Sequence, residues 1–203
     1  MSENSKRVIF GLTHSLLCSS AFVMGENFLF ESERLCFREL NFADVDNLQL
    51  IFSDPIAMQY YPSTKDIEAT RNWIQWQLDN YKSDGHGLWA VHLKESREFI
   101  GQCGVIPNSP RGFRENDVGY LFVRKFWGQG YATEAASRVR YYAFSKLDLD
   151  TLVVYMGPKN TPSRKVAERI GGKLECIEPP ERMRWKLETC VHRLNRNDFV
   201  GNS

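Results

Sequence analysis

The sequence predicts a single α/β domain built on a mostly antiparallel sheet of about six to seven strands. Short apolar runs bounded by turn residues follow one another through the first two thirds of the chain, which is typical of antiparallel strands. Further on, an apolar run, a glycine turn, a helical pattern and a second apolar run stand in succession, as in parallel strands joined by a helical crossover. No repeat or low-complexity linker divides the chain, and its 203 residues are enough to bury one ordinary core.

The first predicted elements are a strand and two helices. Leu35 and Phe37 share one face of an alternating run, which favours a strand. Either Asn41 or Asp44 can cap the short helix that follows, because their side-chain oxygens accept hydrogen bonds from the first turn. The predicted bounds are a strand over 34–40, a helix that ends near 52 and a second helix over 66–83.

A meander of strands comes next. Two short strands are predicted over 88–93 and 99–106, joined by a polar turn. The stretch 107–116 is a loop by composition, since it is rich in Pro, Asn, Arg and Gly. It returns the chain into an apolar strand over 118–123. With the strand at 34–40, these segments predict four antiparallel strands.

The segment around which the chain is organised is the glycine turn after this strand. Gly128 and Gly130 lie just before a helical pattern that runs over 131–146. A backbone without Cβ atoms beside a helix N-terminus lets several N–H groups converge on one anion such as a pyrophosphate. Arg124 and Lys125 stand next to it. A simple tight turn explains the glycines equally well, and neither a Walker loop nor a dinucleotide fingerprint is present.

The remaining segments alternate between strands and one helix. The residues from Asn160 to Ser163 open a helix that Gly171-Gly172 ends. Helix capping alone would explain the residue types at Asn160 and Ser163. The strands are predicted over 151–156, 173–177 and 183–194, and the last shows the most regular alternation in the chain.

Composition excludes several classes of partner. The net charge is +1, so we expect neither nucleic acid nor a membrane surface as a partner. Five scattered cysteines without a Cys-x-x-Cys pair and only four histidines argue against a metal site and favour reduced thiols in a cytoplasmic protein.

Residues 1–29 are set apart from the predicted domain, which spans 30–203. Lys6-Arg7 before the mildly apolar stretch 8–24 superficially resembles a signal peptide. That stretch is diluted by polar residues and is too short to cross a bilayer. We therefore expect an extension, either residues upstream of a natural start at Met24 or a loosely docked N-terminal arm.

Four motifs in order carry a resemblance to a known family. They cover most of the predicted domain: Glu33-Arg-Leu-Cys-Phe-Arg38, Trp127-Gly-Gln-Gly-Tyr-Ala-Thr-Glu134, Asn160-Thr-Pro-Ser163 ahead of Gly171-Gly172, and His192-Arg-Leu-Asn-Arg-Asn-Asp-Phe199. Together they resemble the GNAT acetyltransferases, within them the group of Rim-type ribosomal-protein N-terminal acetyltransferases. The resemblance implies helices on both faces of the sheet and a central strand pair that splays apart.

The resemblance also implies a cofactor and a reaction. The cofactor is acetyl-CoA, used as a co-substrate, and the reaction transfers its acetyl group to a primary amine. The implied cofactor-binding residues are Trp127, Gly128, Gln129, Gly130, Tyr131 and Ala132 for the pyrophosphate, the backbone of Phe122 and Val123 and the side chain of Asn160 for the pantetheine, and Ser163 near the thioester sulfur.

The chemistry needs a base and a stabilised leaving group, because only the lone pair of an amine attacks. Asp117 matches a position that carries a catalytic glutamate in some relatives, although a strand-edge carboxylate is the plain alternative, and Glu115 is the second candidate. Ala167 occupies the position at which other relatives have a tyrosine that acts as the general acid. Tyr155 occupies the position at which one branch of the family has a glutamate. Ser163 or a water would then protonate the thiolate, if any acid is needed. Direct attack in a ternary complex is expected.

Three functions remain open from the sequence. The acceptor amine is either a protein N-terminus or a small molecule such as a polyamine, an amino acid or an antibiotic. A non-catalytic acyl-CoA-binding module is the third hypothesis. A homodimer is compatible with the aromatic helix surface and the alternating last strand.

Overall fold

One mixed sheet of eight strands forms the centre of the protein. The computed structural model describes residues 27–199. The strands are β1 (Phe30–Glu31), β2 (Leu35–Glu39), β3 (Leu88–Leu93), β4 (Phe99–Asn108), β5 (Glu115–Phe122), β6 (Thr151–Met156), β7 (Lys173–Glu178) and β8 (Thr189–Asn195). The helices are α1 (Val45–Phe52), α2 (Ile67–Asp84), α3 (Tyr131–Ser145) and α4 (Thr161–Arg169).

The strand order is β1-β2-β3-β4-β5-β6-β8-β7. β1 to β5 form an antiparallel meander, β5 and β6 are parallel, and β8 lies between β6 and β7. The predicted meander and the predicted parallel crossover through α3 are therefore confirmed. The short strand β1 raises the count above the six to seven expected from the sequence.

Local sequence signals set the ends of the first two helices. The Asn41 side chain accepts a hydrogen bond from the Ala43 N–H at 2.8 Å and so caps a 3-10 turn that leads directly into α1. Asp66 caps α2 by accepting from the Ala69 N–H at 2.8 Å. At its other end Gly85, with φ +73°, takes the left-handed conformation that terminates a helix at little steric cost.

Helices cover both faces of the sheet, as expected. α1 and α2 pack on one face, where Leu48, Ile51 and Ile74 are fully buried. α3 and α4 pack on the opposite face through small and β-branched side chains, among them Ala136, Val139 and Ala167. Side chains alternate along β5, so Val118 and Phe122 face α3 and α4 while Leu121 faces α1 and α2. This alternation decides which side chains of β5 share a face.

Two predicted boundaries near the end of the meander and of the chain are wrong. The alternating run 183–194 is not one strand: only its second half pairs, as β8, and Lys186 adopts φ +55° in the preceding loop. Such a conformation breaks an extended chain, so period-2 alternation there reflects no sheet face. Both ends of the predicted loop 107–116 belong to strands, because β4 continues to Asn108 and β5 begins at Glu115.

The prediction for 1–29 falls almost entirely outside the described residues. Within 27–199, no helix is long and apolar enough to cross a membrane. In the same range no disulfide joins the cysteines, and no group of three or more His, Cys, Asp or Glu side chains is arranged to hold a metal ion.

Candidate active site

A cleft opens in the middle of the sheet because β5 and β6 separate. β4 and β5 pair along eight residues, from Gly101 with Phe122 to Asn108 with Glu115. β5 and β6 share a single pair, Asp117 with Val153, although both strands continue beyond it. The two strands therefore diverge toward their carboxyl ends and leave backbone groups of β5 without a neighbouring strand. This is the splayed central pair that was expected.

The glycine turn lies where β5 leads into α3. Gly128 and Gly130 have φ of +77° and +83°, a region that favours glycine. A Cβ on Gly128 would meet no atom within 4 Å, so the turn is open on that side. Gly130 is the N-cap of α3 and no side chain caps this helix. The first amide N–H groups of α3 therefore have no intrahelical acceptor and, with the helix dipole, favour an anion.

Arg34 reaches the same turn from the start of β2. Its guanidinium lies 4.4 Å from the Tyr131 ring centroid and donates to the Gln129 carbonyl at 3.2 Å. Glu134 fixes its position, since the Arg34 Nε atom lies 2.6 Å from the Glu134 Oε2 atom and the Arg34 backbone N–H also donates to that carboxylate. A positive charge from a distant strand thus stands beside the uncapped helix end.

The two cations next to the turn in sequence are engaged elsewhere. The Arg124 Nε atom lies 2.8 Å from the Asp54 carboxylate in the chain after α1, and Lys125 is paired with Glu98. Both cations are exposed. Arg34, rather than these neighbours, supplies the guanidinium at the turn.

The backbone that was predicted to meet a pantetheine arm lies at the end of β5. The Val123 N–H donates to the Ile100 carbonyl of β4 at 2.9 Å. Neighbouring N–H groups of a strand point to opposite edges, so the Phe122 N–H faces the cleft. The Phe122 carbonyl accepts the indole N–H of Trp127 at 2.8 Å, which ties the glycine turn to the edge of the cleft.

Asp117 lies at the closed end of the cleft, on the face of the sheet that α1 and α2 cover. Its carboxylate accepts a hydrogen bond from the Asn108 side chain at 3.1 Å. Loss of hydration raises its pKa to about 7, against the opposing hydrogen bonds from Asn108 and the Tyr155 backbone. A carboxylate with a pKa near neutrality is suited to accept a proton from an amine.

Glu115, the second candidate base, has a different environment. Arg111 donates to both of its oxygens, at 2.7 and 3.1 Å, Arg193 donates at 2.8 Å, and the Tyr155 hydroxyl donates as well. Desolvation opposes ionisation, but the hydrogen bonds from Arg111, Tyr155 and Arg193 outweigh it and hold the Glu115 pKa below its usual value. These donors occupy the carboxylate, so Asp117 is the better candidate base.

Asn160 and Ser163 come together at the start of α4, directly after β6. The Asn160 side chain accepts from the Ser163 N–H at 3.2 Å, so Asn160 caps the helix as its residue type suggested. The half-buried Ser163 hydroxyl lies 2.9 Å from the Tyr120 hydroxyl of β5. Ala167, one turn further along α4, is fully buried in the core. The structure thus brings a strand tyrosine, absent from the predicted site, to Ser163.

Tyr61 is a further site residue that sequence reasoning missed. It belongs to the segment between α1 and α2 and its side chain is 43% exposed. Desolvation and the Asp117 charge raise the pKa of Tyr61 to about 12, so its hydroxyl lies within electrostatic range of Asp117. No periodicity or motif marks Tyr61, whereas Tyr120 lay in the organising strand and Arg34 in the first of the four motifs.

Comparison with known proteins agrees with this geometry. The sequence profile of the acetyltransferase (GNAT) domain matches residues 34–173. The uncharacterized N-acetyltransferase p20 of Bacillus licheniformis is 31% identical over 174 residues, which cover 84% of this chain and 97% of that protein.

Solved structures share the fold. An acetyltransferase from Agrobacterium tumefaciens str. C58 superposes with a TM-score of 0.72 at 30% identity, over 95% of this chain and 99% of the other. RimL, a ribosomal L7/L12 alpha-N-protein acetyltransferase solved with coenzyme A, gives a TM-score of 0.68 at 18% identity, over 83% of this chain and 98% of that one. The chain therefore belongs to the GNAT family and is an acetyl-CoA-dependent N-acetyltransferase.

Proposed function

We propose that the protein acetylates the α-amine of a protein N-terminus by direct attack on acetyl-CoA in a ternary complex. The observation that carries the proposal is the cleft between β5 and β6, which has the Asp117 carboxyl at its closed end and the uncapped glycine turn at its open end. One cleft thus offers a proton acceptor to the amine and an anion site to the cofactor.

In this proposal the cofactor lies along the splayed edge of β5. Its pyrophosphate meets the N–H groups of the turn, from Trp127 to Ala132, with the Arg34 guanidinium beside them. The pantetheine arm meets the Phe122 N–H, which faces the cleft, and passes the Asn160 side chain at the start of α4. Both backbone groups of Val123 bond within the protein, so Val123 lies beside the arm without pairing to it. Acetyl-CoA supplies the activated acetyl group, and its sulfur lies near Ser163.

The acceptor approaches from the face that carries Asp117. A protonated amine has no lone pair, so Asp117 takes a proton from it directly or through a water. The nitrogen then attacks the thioester carbon while both substrates are bound, with no covalent enzyme intermediate. Tyr61 lies at the entrance to this side of the cleft.

The choice of a protein N-terminus follows from the exposed rim on the acceptor side. The segment between α1 and α2 presents Ile56, Tyr60 and Tyr61 to solvent, each more than 40% exposed, as suits a partner larger than a metabolite. RimL, which shares the fold, is a ribosomal L7/L12 alpha-N-protein acetyltransferase. A small amine, such as a polyamine, an amino acid or an antibiotic, is the second candidate.

The first experiment tests the cofactor site. Acetyl-CoA and CoA should each raise the melting temperature of the wild type by mass action, and NADH should not. Gly130→Glu places a carboxylate at the anion site and should abolish the shift. Gly112→Glu is the matched control, because Gly112 also has a positive φ, of +88°, and its Cβ position has no atom within 4 Å, whereas that of Gly130 has only the flexible end of Arg34, at 3.6 Å. No shift for the wild type at saturating acetyl-CoA would overturn the proposed cofactor site.

The second experiment tests the acceptor. Release of CoA is measured with a panel of peptides that have free N-termini and with polyamines, amino acids and aminoglycosides. Faster turnover with peptides, lost when their N-termini are blocked, is the expected result. Turnover confined to small amines would replace the acceptor class, and cofactor binding without turnover of any amine would favour a non-catalytic acyl-CoA-binding module.

A further inference from the structure

Two hydroxyl groups meet across the cleft. Tyr120 lies on β5 and its phenol oxygen is 2.9 Å from the Ser163 Oγ atom and 2.8 Å from the Ser163 carbonyl oxygen. Ser163 belongs to the first turn of α4, which the Asn160 side chain holds through the Ser163 N–H. Both side chains are half-buried. The strand and the helix are therefore joined at a point where the sheet has already opened.

The contact between Tyr120 and Ser163 lies where β5 and β6 separate. Tyr120 is three residues beyond Asp117, the last point at which β5 pairs with β6. Ser163 follows the end of β6, so it belongs to the other arm of the opening. A hydrogen bond between them replaces the strand pairing that is lost there, and it fixes the distance between the two arms.

The number of protons on the Tyr120 and Ser163 hydroxyls decides which further hydrogen bonds these two groups can donate. Two hydroxyl groups hold two protons, and the Ser163 carbonyl can only accept. The phenol O–H lies within reach of both the Ser163 carbonyl and the Ser163 Oγ atom, and where it is shared between these two acceptors the Ser163 Oγ–H is left to donate to a third group in the cleft. Burial raises the pKa of Tyr120 above its ordinary value, so the phenol stays protonated and keeps its role as a donor.

The rest of α4 offers no other hydroxyl that could donate to Ser163 from inside the cleft. Its sequence contains two hydroxyl side chains, Thr161 and Ser163, and its inward-facing positions are the apolar Val166 and Ala167. A hydroxyl that supports Ser163 therefore has to come from another element, and Tyr120 of β5 provides it.

We propose that Tyr120 is a positioning residue for acetyl transfer: it donates to Ser163 across the cleft and so directs the Ser163 Oγ–H at the sulfur of the bound thioester. This inference rests on the proposed function. Asp117 takes one proton from the ammonium group and passes it to water. The amine nitrogen then forms the C–N bond as the C–S bond breaks, and the second proton that nitrogen loses leaves by the same route. The sulfur leaves as a thiolate, which the Ser163 hydroxyl stabilises by a hydrogen bond until water protonates it. Tyr120 keeps its own proton throughout.

The test separates this role from simple packing by changing the leaving group. Tyr120→Phe keeps the ring and removes the hydroxyl, and we expect kcat with acetyl-CoA to fall about tenfold to a hundredfold, as for loss of a hydrogen bond to a developing charge. In acetyl-selenocoenzyme A, selenium replaces the sulfur and leaves as a more stable anion. We expect the variant to recover to within about threefold of the wild type with this substrate.

Three further proteins complete the experiment. Ser163→Ala should lose as much as Tyr120→Phe or more, and the double variant should be no worse than Ser163→Ala, because both changes remove one interaction. Tyr142→Phe is the matched control: it removes a phenol hydroxyl from a ring that stacks on Phe30 in the same core, and it should leave kcat unchanged.

Each outcome bears on one proposal. Equal losses of Tyr120→Phe with both substrates, or additive losses in the double variant, would overturn the role of Tyr120 in leaving-group stabilisation. A wild type that turns over acetyl-CoA while Tyr120→Phe keeps full kcat would overturn it too, and would leave the proposed function standing. Failure of the wild type itself to acetylate any amine would instead be the failure of the proposed function.

Discussion

Two carboxylates stand one pleat apart on the same face of β5 and have opposite surroundings. Glu115 is surrounded by donors from Arg111, Arg193 and Tyr155, and its pKa lies below the usual value. Asp117 has a single side-chain donor, Asn108, and loss of hydration raises its pKa to about 7. Neighbours two residues apart in one strand thus differ in charge at neutral pH: Glu115 is ionised, whereas Asp117 is near the midpoint of its titration.

The difference comes from what packs against each residue. Glu115 faces the loop before β5 and the strands β7 and β8, which bring Arg111 and Arg193 together with Glu175 and Glu178. Asp117 lies where the sheet opens, and no cation lies within ion-pairing distance of it in the described part of the chain. A carboxylate enclosed by cations stabilises the fold, whereas a half-buried one without a cation can exchange a proton.

The largest effect expected from this comparison is on activity at Asp117. Asp117→Asn keeps the size and polarity of the side chain but cannot accept a proton from the amine. We expect kcat/KM to fall about 10²–10⁴-fold, the range typical of a lost general base, with folding retained. The measurement is CoA release under saturating acetyl-CoA.

The pH profile sharpens this test. For the wild type, kcat/KM should rise with pH through the Asp117 pKa of about 7, because the ionised carboxylate is the active form. The profile of Asp117→Asn should lack this step. A wild-type profile that is flat between pH 5.5 and 8.5 would break the proposed division of roles between the two carboxylates.

The next effect is on stability at Glu115. Glu115→Ala removes the carboxylate between Arg111 and Arg193 and leaves the Arg111 guanidinium, which is 9% exposed, with fewer partners. We expect the free energy of unfolding to fall by about 3 kcal/mol, as for a broken buried ion pair, with kcat changed much less than in Asp117→Asn. Denaturant titration measures it.

An exposed acid provides the control for that prediction. Glu188 lies in the loop before β8 and is exposed, so Glu188→Ala should change the free energy of unfolding by no more than about 0.5 kcal/mol. Loss of catalysis in folded Glu115→Ala, comparable with that of Asp117→Asn, would assign the base to Glu115 instead.

A smaller effect is expected on the pH dependence of stability. The Asp117 pKa is raised on folding, so the folded protein binds more protons than the unfolded chain between about pH 4 and 7. The free energy of unfolding therefore falls as pH rises through this window, and the whole of this loss is present above pH 7. Asp117→Asn removes this pH-dependent loss of stability. The amount by which its melting temperature exceeds that of the wild type should therefore be larger at pH 8 than at pH 5. An equal difference at both values would contradict the raised pKa.

The smallest expected effect concerns Tyr155. Tyr155→Phe deletes one donor to Glu115 but keeps the ring that packs edge-to-face on Trp185 at 5.6 Å. Because Arg111 and Arg193 still hold the carboxylate, we expect a loss of about 1.5 kcal/mol of unfolding free energy. A loss as large as that of Glu115→Ala would mean that the tyrosine, rather than the two arginines, holds Glu115.

Several features of the fold and the site could be predicted because their signals are local. The glycine pair at 128 and 130 indicated the turn, its positive φ angles and the helix that follows. Helix capping was one of two explanations for the residue type at Asn160, and its side chain does cap α4. Strand β6 begins and ends at the residues expected. In each case the nearest neighbours in the chain impose the conformation.

The last strand shows where a local signal fails. The alternating run from Met183 predicted a strand of twelve residues, yet only Thr189–Asn195 pairs with neighbours. In the first half Arg184 donates its N–H to the Pro110 carbonyl in another loop, and Lys186 turns the chain. Alternation describes side chains, whereas a strand also needs a partner edge, and the sequence does not state where that edge is.

The sequence by itself determined the family, the order of strands and helices along the chain, and the place of the glycine turn before α3, since these depend on patterns within short segments. Only the tertiary structure decided that Arg34 rather than Arg124 or Lys125 reaches the turn, that Tyr120 meets Ser163, and that Asp117 rather than Glu115 lacks a cation. The first two contacts join residues that lie 95 and 43 positions apart in the chain. Long-range packing sets the distance and hydration of such groups, and with them their charge and chemistry.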